Sequence, residues 1–126
     1  MSTHTYGTFT KALAAGKLEP AYYFLGAENV LKDEATTALL DKVLDPGLRD
    51  FNLDIRSAQQ LEPEDVLSLC TTLPMMADRR VVVVRDVEAW KRKTRGKKAV
   101  LEYLQKPIPE TLLVLVQGAA SEAKDD

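Results

Sequence analysis

Four consecutive valines, Val81 to Val84, restrict this chain more than any other stretch. A run that is β-branched throughout and apolar on both alternating faces has no side to turn to water, so it predicts a strand inside a sheet covered on both faces. Thr111 to Val116, closed by Gly118, has the same character and predicts a second such strand. Two weaker strand signals precede them. Ala21 to Gly26 is a short apolar aromatic run bounded by Pro20 and Gly26. Phe51, Leu53 and Ile55 alternate with Asn52, Asp54 and Arg56, which predicts a strand near a sheet edge, ending about Ala58.

Helical spacing fills the intervals. Phe9 and Leu13 mark a short leading helix over Thr8 to Ala15, stopped by Gly16. Asn29 is placed to cap a helix running to about Leu44, with Leu31, Ala35, Ala38 and Leu39 on its apolar stripe and Lys32, Asp33 and Lys42 off it. Asp45-Pro46-Gly47 ends that helix. Glu62-Pro63-Glu64-Asp65 opens a third, because a first turn tolerates proline and its dipole favours carboxylates. Val66, Leu69, Cys70 and Leu73 form its stripe, and Pro74 should end it. The basic run Lys91 to Lys98, containing Gly96, reads as a mobile solvated loop, followed by a helix on Val100, Leu101 and Leu104 that stops by Pro107. Ala119 to Asp126 is expected to fray. Strand and helix alternate, which implies right-handed crossovers and a three-layer α/β fold, a mostly parallel sheet with helices on both faces. The 126 residues suit one domain with one core.

Few chemistries are open to such a chain. With one cysteine, Cys70, and one histidine, His4, an internal disulfide is impossible, a zinc site would have to be mostly carboxylate, and a Ser-His-Asp triad would rest on a histidine at a frayed end. Cys70 lies on an apolar stripe, where it reads as a small buried hydrophobe. The formal charge of −2 gives no net field toward nucleic acid or membrane. No signal peptide is visible and no apolar run approaches the roughly 20 residues that span a bilayer, so a cytoplasmic domain without metal or cofactor is expected.

The first strand, Gly26 and the helix after it have the layout of a phosphate-binding loop. Gly26 fits the first glycine and Lys32 the lysine, but Leu31 stands where a second glycine lets backbone N–H groups approach phosphate, and Asp33 replaces the metal-binding hydroxyl. An ordinary strand-turn-helix joint explains Gly26 and Lys32 equally well. Lys91, Arg92, Lys93 and Arg95 are candidates for a weak DNA contact, though only Trp90 accompanies them for stacking, and a solvated loop accounts for the same charges.

Leu73-Pro74-Met75-Met76 is the remaining anomaly. A connector into a buried strand ordinarily carries polar turn residues, so two flexible thioethers there are either tucked under the helix or held out for a partner.

Several phrases, taken in order, resemble the N-terminal domain of the delta subunit of the bacterial DNA polymerase III clamp loader. They are Gly16-Lys17-Leu18-Glu19-Pro20-Ala21-Tyr22-Tyr23-Phe24-Leu25-Gly26, Leu31-Lys32-Asp33-Glu34-Ala35, Arg49-Asp50-Phe51-Asn52-Leu53, Thr72-Leu73-Pro74-Met75-Met76-Ala77-Asp78-Arg79-Arg80 with the valine strand, and Thr111-Leu112-Leu113-Val114-Leu115. The resemblance implies a degenerate P-loop, AAA+ ATPase-like fold that has lost its nucleotide site, in agreement with the broken loop at Gly26, Leu31, Lys32 and Asp33. It further implies a DNA replication role without catalysis of its own, in a subunit of the DNA polymerase III holoenzyme. In that family the apolar pair after the proline inserts into a pocket of the ring-shaped sliding clamp, the beta subunit, and helps to open it. Met75 and Met76 hold those positions beside Leu73 and Pro74, where the usual pair includes an aromatic. Family members continue into helical domains that meet the other clamp-loader subunits, so residues 1–126 are expected to be a first domain truncated before them and short of its last strand. The competing reading is a P-loop-type nucleotide-binding enzyme domain using Gly26 and Lys32. A third makes both methionines plain core residues, and their exposure separates it from the first.

Overall fold

A computed structural model describes residues 5–25 and 29–118. Strands β1 (Ala21–Phe24), β2 (Leu53–Ser57), β3 (Arg80–Arg85) and β4 (Thr111–Val116) form one sheet in the order β1-β4-β3-β2, with every neighbouring pair parallel. Helices α1 (Tyr6–Ala14), α2 (Asn29–Val43), α3 (Arg49–Asn52), α4 (Pro63–Cys70) and α5 (Thr94–Gln105) connect them, with 3-10 turns at Pro46–Leu48 and Val87–Trp90.

The valine run explains the layering. All four valines are fully buried, since β3 lies between β2 and β4 and both its faces are covered. Val81 and Val83 join Leu112, Val114 and Val116 against Phe9, Leu13 and Leu39 of α1 and α2. Val82 and Val84 join Leu113 and Leu115 against Val66 and Cys70 of α4, Trp90, and Val100 of α5. This is the expected three-layer α/β fold. Trp90 is fastened as well as buried, its indole N–H donating to the Leu61 carbonyl at 2.8 Å.

Local signals set several boundaries. Thr5 and Thr8 cap α1 reciprocally, and Gly16 takes φ +78° just past its end, a left-handed conformation that costs glycine little. Glu62 and Asp65 form a capping box on α4 with Pro63 in its first turn.

Four expectations need correction. Lys32 faces inward and Leu31 outward, so the buried face of α2 is Lys32, Ala35, Thr36, Leu39 and Leu40; the lysine stem is long enough to cover apolar surface while its ammonium finds an oxygen. Phe51 and Asn52 are helical rather than strand residues. Asp45 accepts from the Gly47 N–H at 2.9 Å, Pro46 begins a 3-10 turn, and α3 prolongs it, so only Leu53–Ser57 joins the sheet, at its edge as expected. α4 stops at Cys70, before Leu73. The basic run is not a loop throughout, for α5 begins at Thr94 and Gly96 is buried against α4. A Cβ on Gly96 would lie 2.7 Å from Glu64 Oε1 and 2.8 Å from Pro63 Cγ, so its absence is what lets the two helices touch.

Gly26, His4 and the 119–126 tail lie outside the described residues, as does the Asn29 side chain; α2 itself begins at Asn29. No helix among the described residues is long and apolar enough to cross a membrane.

Candidate functional site

The connector from α4 to β3 is held at its stem, held again at its middle, and left open at its apolar side chains. At the stem, the Thr71 and Thr72 hydroxyls donate back to the Ser68 carbonyl at 3.0 and 3.2 Å, a local competition that helps end α4 early. Two strand residues take the next carbonyls. Thr111 Oγ1 donates to the Cys70 carbonyl at 2.7 Å, supplying a helix-end acceptor with a partner, and Arg80 Nε donates at 3.4 Å to the Leu69 carbonyl, which also accepts from the Thr72 N–H at 3.3 Å. Arg80 also pairs with Asp54 of β2, whose other carboxylate oxygen meets Arg56 at 3.0 Å. Burial pulls the Arg80 pKa below its ordinary value, and the facing carboxylate favours the charged form.

At the middle, Asn52 reaches across from the end of α3. Its side chain is fully buried and its amide is fully used: Nδ2 donates to the carbonyls of Met75 at 2.8 Å and Leu48 at 3.1 Å, while Oδ1 accepts from the Met75 N–H at 2.6 Å. Met76 then takes φ +57°, a left-handed turn that few non-glycine residues make. The side chains remain outside. Leu73 is 76% exposed, Met75 55% and Met76 76%, with Pro74 half-buried between them. The core reading of the methionines is thereby removed. An apolar cluster displayed on a tethered backbone suits docking to a protein groove.

The second candidate lies at the opposite end of β3. Lys32, Asp33, Arg85, Asp86, Val116, Gln117 and Gly118 line a cleft of about 210 Å³. Lys32 Nζ donates to the Gln117 carbonyl at 2.6 Å, and Asp33 pairs with Arg85 at 3.2 Å. The lysine aligned with a phosphate-loop lysine is thus spent on the chain's own backbone, and Asp33 and Asp86 put negative charge where a polyphosphate would lie. Leu31 faces away, exposed. Among the described residues no group of three His, Cys, Asp or Glu is placed to hold a metal.

Lys91, Arg92, Lys93 and Arg95 are exposed around the start of α5. Lys93 pairs with Glu62 at 2.7 Å and Lys97 Nζ donates to the Lys91 carbonyl at 3.0 Å, so part of this charge is engaged locally. Cys70 is buried as expected; burial pushes its thiol up to about 11, away from reactivity.

Sequence reasoning picked out Leu73, Pro74, Met75 and Met76 but missed Asn52, which holds the Met75 backbone, and Arg80 and Thr111, which hold the helix end before them. The period-2 pattern around Asn52 put it on a wet strand face. The signal against that placement was Asp45-Pro46-Gly47, whose cap and proline start a helical turn that runs into Asn52.

Comparison with known proteins falls on the same stretch of chain. The family described as DNA polymerase III, delta subunit, matches residues 22–125. DNA polymerase III subunit delta of Bacillus subtilis is 30% identical over 112 residues, covering 84% of this chain and 32% of that protein. The solved structure of the Bacillus subtilis DNA clamp loader delta protein superposes with a TM-score of 0.82 at 26% identity, over 90% of this chain and 35% of that one. A DNA polymerase III gamma subunit-related protein from Thermotoga maritima shares the fold, with a TM-score of 0.66 at 15% identity over 90% of this chain and 40% of that one. The chain therefore spans about a third of the length of its delta relatives.

Proposed function

The chain belongs to the DNA polymerase III delta subunit family, and from that membership we propose that its α4–β3 loop docks on the sliding clamp. Leu73, Met75 and Met76 enter an apolar groove of the clamp, and Pro74 fixes the direction of approach. The observation that carries the reading is the conjunction at one loop of exposed apolar side chains with a backbone fastened to the core at Asn52. A cluster of large apolar side chains displayed on one loop gains little for folding, which supports a use in contact with a second molecule. Each methionine contributes on the order of 1.5–3 kcal/mol if fully buried, less the cost of freezing a flexible thioether, which suits roughly micromolar binding that can be released.

The same reading makes residues 1–126 the first domain of a longer subunit, with other clamp-loader subunits met through domains that follow, and gives this domain no nucleotide hydrolysis of its own. The cleft at Lys32 supports the last point, because its lysine is engaged with the Gln117 carbonyl and Asp33 with Arg85. Titrating the chain against purified bacterial sliding clamp tests the proposal. Saturable binding in the micromolar range is expected, and an absence of binding at clamp concentrations of about a millimolar would refute it.

A further inference from the structure

We propose that Asn52 is a positioning residue, one that sets the α4–β3 loop in its docking shape before any partner arrives; the proposal rests on the clamp-binding reading and deepens it. The residue is remote from the loop in sequence and shares no element with it, yet its amide grips the Met75 backbone at both of its polar groups, taking the N–H at 2.6 Å and giving to the carbonyl at 2.8 Å. A primary carboxamide is the side chain suited to this. It carries an acceptor and two donors in one plane, and here the second donor is spent on the Leu48 carbonyl at 3.1 Å, so all three directions converge on backbone. Asp at this position would set a carboxylate oxygen against two carbonyls, and Ala would leave three backbone groups to find other partners.

The consequence follows from where the tether acts. Met75 is fixed at its backbone while its thioether is free, and the next residue turns through φ +57°, so one side-chain interaction chooses which way both methionines project. Freezing a loop is a cost of association when it happens on binding and is absent when folding has already done it. Asn52 moves that cost into folding. Its loss lowers clamp affinity although it is buried and out of a partner's reach.

Three measurements on the full chain test this. In the wild type, amide hydrogen exchange at Met75 should be on the order of 100-fold slower than in an unstructured peptide, although the residue lies in an exposed loop. In Asn52→Ala that protection should vanish, and the methyl groups of Met75 and Met76, observed by carbon-13 labelling, should gain fast motion while the Trp90 environment stays unchanged. Binding to purified sliding clamp should weaken about tenfold in Asn52→Ala, mainly through slower association, since fewer molecules hold the competent loop at any instant. Asn52→Asp should behave like Asn52→Ala. An unprotected Met75 amide in the wild type overturns the proposal without any variant having to fold, and so does an Asn52→Ala protein with mobile methionines and unchanged clamp binding. A wild-type chain that ignores the clamp removes the docking reading alone, because Met75 protection still decides whether Asn52 holds the loop.

Discussion

The side chain of Asn52 and the backbone of Met75 bind each other through two hydrogen bonds, 2.8 and 2.6 Å, across 23 positions of sequence. This pairing separates two jobs that usually compete in a surface loop. The N–H and C=O of Met75 are satisfied internally, as those of a buried core element would be, while the thioethers stay available to a partner.

The stem of the loop should matter for stability where its tip does not. Thr111→Val removes the hydroxyl that caps the Cys70 carbonyl in a buried setting and preserves the shape of the side chain. Chemical denaturation should show a loss of about 1–3 kcal/mol, the cost of leaving a buried acceptor unpaired.

Gly96→Ala should destabilise the domain even though alanine is the better helix former. The added methyl meets Pro63 and Glu64 at under 3 Å, and Pro63 is fully buried, so α5 must move off α4. A net loss of about 1–3 kcal/mol is expected after the gain of about 1 kcal/mol in helix propensity. An unchanged melting temperature would mean that the helix pair tolerates more separation than its packing suggests.

Lys32 offers a clean contrast between two accounts of the cleft. In a nucleotide site its removal abolishes ligand binding with little effect on folding. Here Lys32→Ala should cost about 1–3 kcal/mol of stability, because Nζ serves the Gln117 carbonyl inside the protein, and calorimetry with ATP and Mg²⁺ should show no saturable heat in the wild type. Micromolar ATP binding that disappears in Lys32→Ala would restore the enzyme reading.

Alkaline pH should weaken the fold through Cys70. Burial raises its thiol from 9.0 to about 11, partly opposed by a hydrogen bond with Tyr103, whose own phenol burial pushes up to about 12. A raised pKa means that the folded chain keeps its proton longer than the unfolded one. The stabilisation is complete below about pH 9 and is lost as the pH rises through about 11. Denaturation midpoints should therefore fall across that window, and Cys70→Ala should flatten the fall after its own packing cost is subtracted.

The layers of this fold were legible because they depend on patterns that one sequence displays. Valines with no polar face can only be central, and a Pro-Glu-Asp start can only open a helix. The tether was not legible, since nothing in the letters around Asn52 says that a residue more than twenty positions away will need both its donor and its acceptor satisfied. Lys32 was misplaced for a related reason. A lysine reads as solvent-facing until a specific carbonyl, here that of Gln117, makes burying it worthwhile. Gly96 left a visible trace as a glycine among lysines, but its meaning lay in Pro63, on another helix. The exposed loop tip was legible only as a contradiction, two large apolar residues where a turn should be polar.

The most direct measurement is clamp binding by the double variant Met75→Ala, Met76→Ala beside its unfolding free energy. Both side chains are more than half exposed, so truncation should leave stability within about 1 kcal/mol, whereas truncating a buried methionine costs about 2–5 kcal/mol. Binding to the sliding clamp should weaken at least about tenfold. A double variant that binds the clamp as tightly as the wild type, or one that loses several kcal/mol of stability, would contradict the assignment of this loop as the docking element.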